Sequence, residues 1–178
     1  MNDIWKSGLC TITFGLAGCA STSPSSVTPD VPITTADIGL HGPDANDNGV
    51  RDYIEDYIEN TYVNGDAATQ ADKRKVYLGF AREVQFRIDN ADNPEALSQS
   101  VKRIVPFIRC MSLIDMSRDA ETDVVRRDVY ALSANTPERD TALRRADKNL
   151  GGGVIRLHTS DLKDTCPSYV ARGGTFPG

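Results

Sequence analysis

The chain has 178 residues, 39% of them hydrophobic and 25% charged, with a formal net charge of −5. That is the composition of one globular domain with a moderate core. The acidic balance excludes a nucleic-acid binder, because phosphate repels it, and a polybasic membrane-surface binder.

Residues 1–18 read as a signal peptide. Lys6 gives a weakly positive start that Asp3 offsets, and Gly8–Leu16 is a short apolar stretch interrupted by Thr11 and Thr13, too short to span a bilayer. It ends in Leu16-Ala17-Gly18-Cys19, which resembles the lipobox of bacterial lipoproteins. The resemblance implies cleavage before Cys19, acylation of its sulfur and new amine, and a chain anchored to a membrane rather than spanning it. Ala20-Ser21, with no Asp directly after Cys19, resembles the outer-membrane-directed pattern, so the expected location is the outer membrane, facing the periplasm. An uncleaved, buried N-terminal helix is the alternative. The Ser, Thr and Pro content of Ala20–Thr35 argues against it, because such a stretch forms no packed core and reads as a flexible tether. The expected organisation is a signal peptide (1–18), a lipidated Cys and tether (19–40), a folded domain (41–172) and a frayed tail (173–178).

The next element is a loop. Asp44, Asn46, Asn48, Asp52 and Glu55 stand at positions 1, 3, 5, 9 and 12 of a twelve-residue stretch with Gly49 at position 6, the spacing of an EF-hand calcium loop. Calcium takes six to eight oxygens in a flexible shell, and a short loop wraps it only if alternate residues point inward. Asp44, Asn46 and Asn48 are the expected inner ligands, with Val50 offering its carbonyl, Asp52 binding directly or through water, and Glu55 giving both carboxylate oxygens from the following helix. Two neutral Asn among them imply a modest affinity, roughly 10⁻⁴–10⁻³ M as in extracellular modules. Two features depart from a full EF-hand. Pro32, Gly39, Gly42 and Pro43 disfavour an entering helix, and position 8, usually apolar, is Arg51. The stretch is similar to the lone Asp/Asn-rich calcium loops of bacterial secreted proteins. An Asx-rich turn that only caps a helix is the plainer reading of the same residues.

Helical periodicity follows. Val50, Tyr53, Ile54, Tyr57 and Ile58 share one face of a first helix that Asn64-Gly65-Asp66 ends. A second runs from about Ala68 to Ile88, with Tyr77, Phe80, Val84 and Ile88 as its stripe. Asn93 as N-cap with Pro94 behind it opens a third, carrying Leu97, Val101, Ile104, Val105, Ile108 and Met111 inward and kinked at Pro106. A fourth, from Ala120 to Leu132, turns Val125, Val129 and Leu132 inward. A fifth starts at Asn135-Thr136-Pro137, buries Ala142, Leu143 and Ala146, and stops at Gly151-Gly152-Gly153. Val154–Thr159 is either a short strand or an extended segment, and Ser160–Thr165 reads as one more helical turn. The predicted fold is all-α, a small helical bundle.

Of four cysteines, Cys10 leaves with the signal and Cys19 takes lipid, so Cys110 and Cys166 remain. In an oxidising compartment they suggest a disulfide, which would stabilise by about 4 kcal/mol on the chain-entropy model; two buried free thiols are the alternative. Neither His41 nor His158 has a nucleophile partner by motif, and no phosphate-binding loop occurs. Arg126-Arg127 and Arg144-Arg145 read as solvated helix faces. As a whole the chain resembles bacterial lipoproteins with an Asp/Asn-rich loop and a helical body closed by two cysteines. That resemblance implies a calcium-binding envelope lipoprotein with a structural or protein-interaction role. The alternative expectation is a cell-wall hydrolase using a carboxylate or His site that the sequence does not display.

Overall fold

The structure, a computed structural model, describes residues 38–114, 119–151 and 164–171. The readings for the signal peptide, Cys19, most of the tether, Val154–Thr159, His158 and the 173–178 tail lie outside the described residues. Within them the chain is all-α: α1 (Asp52–Thr61), α2 (Ala67–Asp89), α3 (Pro94–Ile114), α4 (Asp119–Ser133), α5 (Pro137–Leu150) and a short α6 (Pro167–Ala171). No strand occurs among the described residues.

Local chemistry fixes the ends of these helices. Asp66 accepts the Thr69 N–H at 2.8 Å, Asn93 accepts that of Ala96 at 3.1 Å, and Thr136 accepts that of Arg139 at 3.3 Å. Each satisfies one of the N–H groups that a helix start leaves without an internal partner. Pro137 fills the first position of α5, where its missing N–H is harmless, and Gly151 ends that helix in the left-handed region at φ 51°. The helical ladder of α3 continues on both sides of Pro106.

The core forms around α2, which touches α1, α3, α4, α5 and α6. Val76, Tyr77, Phe80, Val84 and Ile88 are fully buried, as are Ile54, Ile58, Leu97, Ile104, Val125, Val129 and Leu132 from the other helices. The two longest helices approach closely at Gly79, where a Cβ would run into the Phe107 ring. Cys110 on α3 and Cys166, just ahead of α6, are bonded across 56 positions of sequence with Cα atoms 5.7 Å apart. Both are fully buried, and the Lys75 ammonium on α2 donates to the Asp164 carbonyl beside them. Asp164 and Thr165, the end of the turn expected over 160–165, are helical.

Candidate metal loop and the adjoining cleft

Residues 38–43 are non-helical and lie as a strap over the bundle. The Leu40 carbonyl accepts from Gln85 Nε2 at 3.1 Å and from Arg139 Nε at 3.3 Å. Gly42, at φ 70°, rests on Arg139 and Arg51; a Cβ there would stand 2.7 Å from Arg139 Nη2 and 2.8 Å from Arg51 Cδ. The Pro43 carbonyl then accepts the Asp52 N–H at 3.0 Å, so the strap closes onto the start of α1 before the loop begins.

The loop folds round Asp44 and Glu55. Asp44 Oδ1 accepts the Asn48 N–H at 3.1 Å and Oδ2 accepts that of Gly49 at 2.8 Å. The reversal this requires places Asp47 at φ 54° and Gly49 at φ 82°, left-handed conformations that Asp tolerates and Gly adopts freely. Asn46 Nδ2 donates to Glu55 Oε2 at 2.9 Å, and the Asn48 amide donates to Glu55 Oε1. Thus Asp44, Asn46, Asn48 and Glu55 come together. Asp52 instead accepts the Ala45 N–H at 2.8 Å, while Val50 buries its side chain in the core and gives its N–H to Asn48 Oδ1 at 2.8 Å. Among the described residues no three His, Cys, Asp or Glu side chains group as a metal site on their own; the loop's donor set depends on its two Asn. Turning those two amides would exchange N–H donors for oxygens facing the Glu55 carboxylate.

Arg51, at the loop position that usually carries an apolar residue, is 1% exposed. Its Nη2 donates to the carbonyls of Leu132 at 3.2 Å and Ser133 at 2.8 Å, and its guanidinium lies 5.2 Å from the centre of the Tyr53 ring. Tyr53 donates to the same Leu132 carbonyl at 2.6 Å. A cation at the C-terminal carbonyls of α4 is favoured by the helix dipole. On the other side, Arg82 Nε on α2 donates to the Asn48 carbonyl at 2.5 Å. The loop is therefore bolted to α4 through Arg51 and to α2 through Arg82, neither of which sequence spacing pointed to.

His41 lies within the strap, with a side chain 79% exposed and Nδ1 3.4 Å from Asp89 Oδ1. Asp89 ends α2. Burial is the largest influence on its carboxyl and raises its pKa, against the lowering effects of the Gln85 hydrogen bond and of His41, Arg51 and Arg139. Asp89 also lines a cleft of about 710 Å³ between the α2–α3 turn and the first turns of α5. The two arginine pairs are engaged in ion pairs: Arg126 with Asp123, Arg127 with Asp128, Arg144 with Asp140, and Arg145 with Asp92.

No protein-family model, no curated protein and no solved structure matches this chain.

Proposed function

We propose that this protein is a calcium-binding lipoprotein of the cell envelope, lipid-anchored at Cys19 to the outer membrane facing the periplasm, with a structural or protein-interaction role. The observation that carries the calcium reading is that the Asn46 and Asn48 side-chain amides both meet the Glu55 carboxylate, while Asp44 accepts the Asn48 and Gly49 N–H groups of the same loop. An Asx-rich cap has no need to fold a carboxylate from the next helix back over its own side chains. The lipobox-like Leu16-Ala17-Gly18-Cys19 supports the anchor. No described helix is long and apolar enough to cross a membrane.

Calcium that binds only the folded state stabilises it by mass action, about 2.7 kcal/mol at 100 times the dissociation constant. Melting of the wild type should rise with millimolar calcium and change little with magnesium, which holds a tighter octahedral shell and keeps its waters. Glu55→Gln should remove most of the calcium gain. Equal melting temperatures in calcium and chelator, with no calorimetric binding at millimolar ion, would reduce the loop to a helix cap. For the anchor, Cys19→Ser should abolish lipid labelling and leave unprocessed precursor; a variant that matures and partitions like wild type rules it out.

The second reading, a carboxylate-based cell-wall hydrolase, is favoured by Asp89, raised by burial in a cleft that also holds Asp92 and Glu138. Its test is release of soluble fragments from purified cell wall, with Asp89→Asn as the control; no release by the wild type ends it.

A further inference from the structure

We propose that Asn64 is a site of spontaneous deamidation, and that the fold protects Asn48 from the same reaction. The chain carries two Asn-Gly pairs, Asn48-Gly49 in the loop and Asn64-Gly65 in the link between α1 and α2. In such a pair the backbone nitrogen of the glycine can reach the side-chain amide carbon of the asparagine, because glycine sets no Cβ in the way and leaves the backbone free to turn. Asn64, Gly65 and Gly49 are exposed and Asn48 is half-buried, so water reaches both pairs. What separates them is the charge around each.

At Asn64 the buried Lys73 donates its ammonium N–H to Oδ1 at 2.8 Å. The Gly65 N–H has no acceptor among the described residues. Hydroxide takes that amide proton and becomes water. The Gly65 nitrogen attacks Asn64 Cγ, and the electron pair of the carbonyl moves onto Oδ1. The oxyanion forms where the Lys73 donor already points, within the distance at which a fixed donor stabilises developing charge. Collapse restores the carbonyl and breaks the Cγ–Nδ2 bond; the nitrogen takes a proton from water and leaves as ammonia, which returns the hydroxide. Water then opens the cyclic imide at one carbonyl to give aspartate or at the other to give isoaspartate. Aspartate sets a carboxylate against the Lys73 ammonium, and isoaspartate adds a methylene to the backbone between α1 and α2. The loop reverses these signs. Gly49 donates its N–H to Asp44 Oδ2 at 2.8 Å, so losing the proton would leave an amide anion against a carboxylate. The Asn48 side-chain amide lies on Glu55 Oε1, so an oxyanion there would form beside a second negative charge.

The test is a time course of the purified full chain in mildly alkaline buffer, with aspartate and isoaspartate at each position counted by peptide mapping and mass spectrometry. It is run in chelator, so the outcome does not depend on whether the loop takes calcium. In the folded protein Asn64 should convert well ahead of Asn48. In concentrated urea, where both pairs lose their neighbours, the two rates should converge. Lys73→Gln, which removes the ammonium, should slow Asn64 by about two- to fivefold, the range of a part-exposed charge contact, and leave Asn48 unchanged. Lys73→Arg, which keeps a cation, should restore the rate at least in part. Should Lys73→Gln lower the melting temperature, the folded-against-urea comparison on the wild type still decides. Asn48 converting as fast as Asn64 in the folded protein, or a ratio of rates that urea leaves unmoved, would overturn the proposal. So would a Lys73→Gln protein that melts like wild type and converts Asn64 at the wild-type rate or faster.

Discussion

Arg51 shows why a single residue's type underdetermines its place. In the sequence it is a charged departure from an apolar loop position, with nothing local to say where it goes. In the fold its stem is buried and its guanidinium reaches the last carbonyls of α4, some 80 positions away (separations 81 and 82). The loop's Asp/Asn spacing was legible because it is local, and the bolts were not because their partners are remote. Asp128 is a similar case. It is 5% exposed, and Oδ2 accepts from the Tyr57 hydroxyl at 2.9 Å and the Tyr62 hydroxyl at 2.6 Å, while Oδ1 takes Arg127. Tyr62→Phe, which removes one hydrogen bond to a charged group, should destabilise by about 1.5–3 kcal/mol in urea unfolding. Asp128→Ala should lower stability by at least as much, since it leaves two phenols without an acceptor. Burial first, and then the Asp128 bond, raise the Tyr62 phenol far above its ordinary 10.0. A raised acid keeps its proton in the fold, so this contribution is complete below pH 10 and is lost as the unfolded phenol ionises above it. Tyr62→Phe should therefore flatten the alkaline fall in stability; an unchanged slope would place Tyr62 outside that effect.

At the scale of elements, the five long helices lie where the periodicity of the sequence put them, because turns and caps punctuate each of them. Asn93, Thr136 and Gly151 act where the sequence placed them. The misreadings come from surroundings. The stripe of α2 was expected to be one face, yet Asp72, Lys73, Glu83, Gln85 and Arg87 are buried as well. A helix packed on several sides covers polar residues too, and they are tolerated where long stems lie along apolar neighbours and the heads find partners: Lys73 with Asn64 at 2.8 Å, and Arg87 with Tyr130 at 3.0 Å. In α3 the reverse holds. Leu97, Ile104 and Met111 are buried, while Val101, Val105 and Ile108 are only half-buried, because the neighbouring helices cover less of its apolar surface than the pattern offers. The sequence assigned the strap's first residues, through Leu40, to the tether and said of the rest only that Gly42 and Pro43 disfavour a helix. Its backbone is instead held by Gln85 and Arg139, whose role no local pattern announces.

At the scale of the molecule, α2 joins both ends of the described chain. Arg82 on it holds the loop at Asn48, and Lys75 holds the carbonyl of Asp164 beside the Cys110–Cys166 bond. The two attachments belong to separate contacts, so they should fail separately. α6 has only five residues and cannot sustain a helix by itself. It stays packed because the bridge closes a separation of 56 positions, which on the chain-entropy model stabilises by about 4 kcal/mol. Cys166→Ala should therefore lower the melting temperature and expose residues 164–171 to fast amide exchange. Calcium affinity at the proposed loop site (Asp44, Asn46, Asn48 and Glu55), which lies at the other attachment, should stay within about twofold of wild type, well under the tenfold that 1.4 kcal/mol represents. Alkylation under denaturing conditions before reduction should find neither Cys110 nor Cys166 as a thiol. Quantitative labelling of both would remove the bridge from the protein, and a calcium affinity that collapses in Cys166→Ala would show that α2 transmits the loss from the tail to the loop.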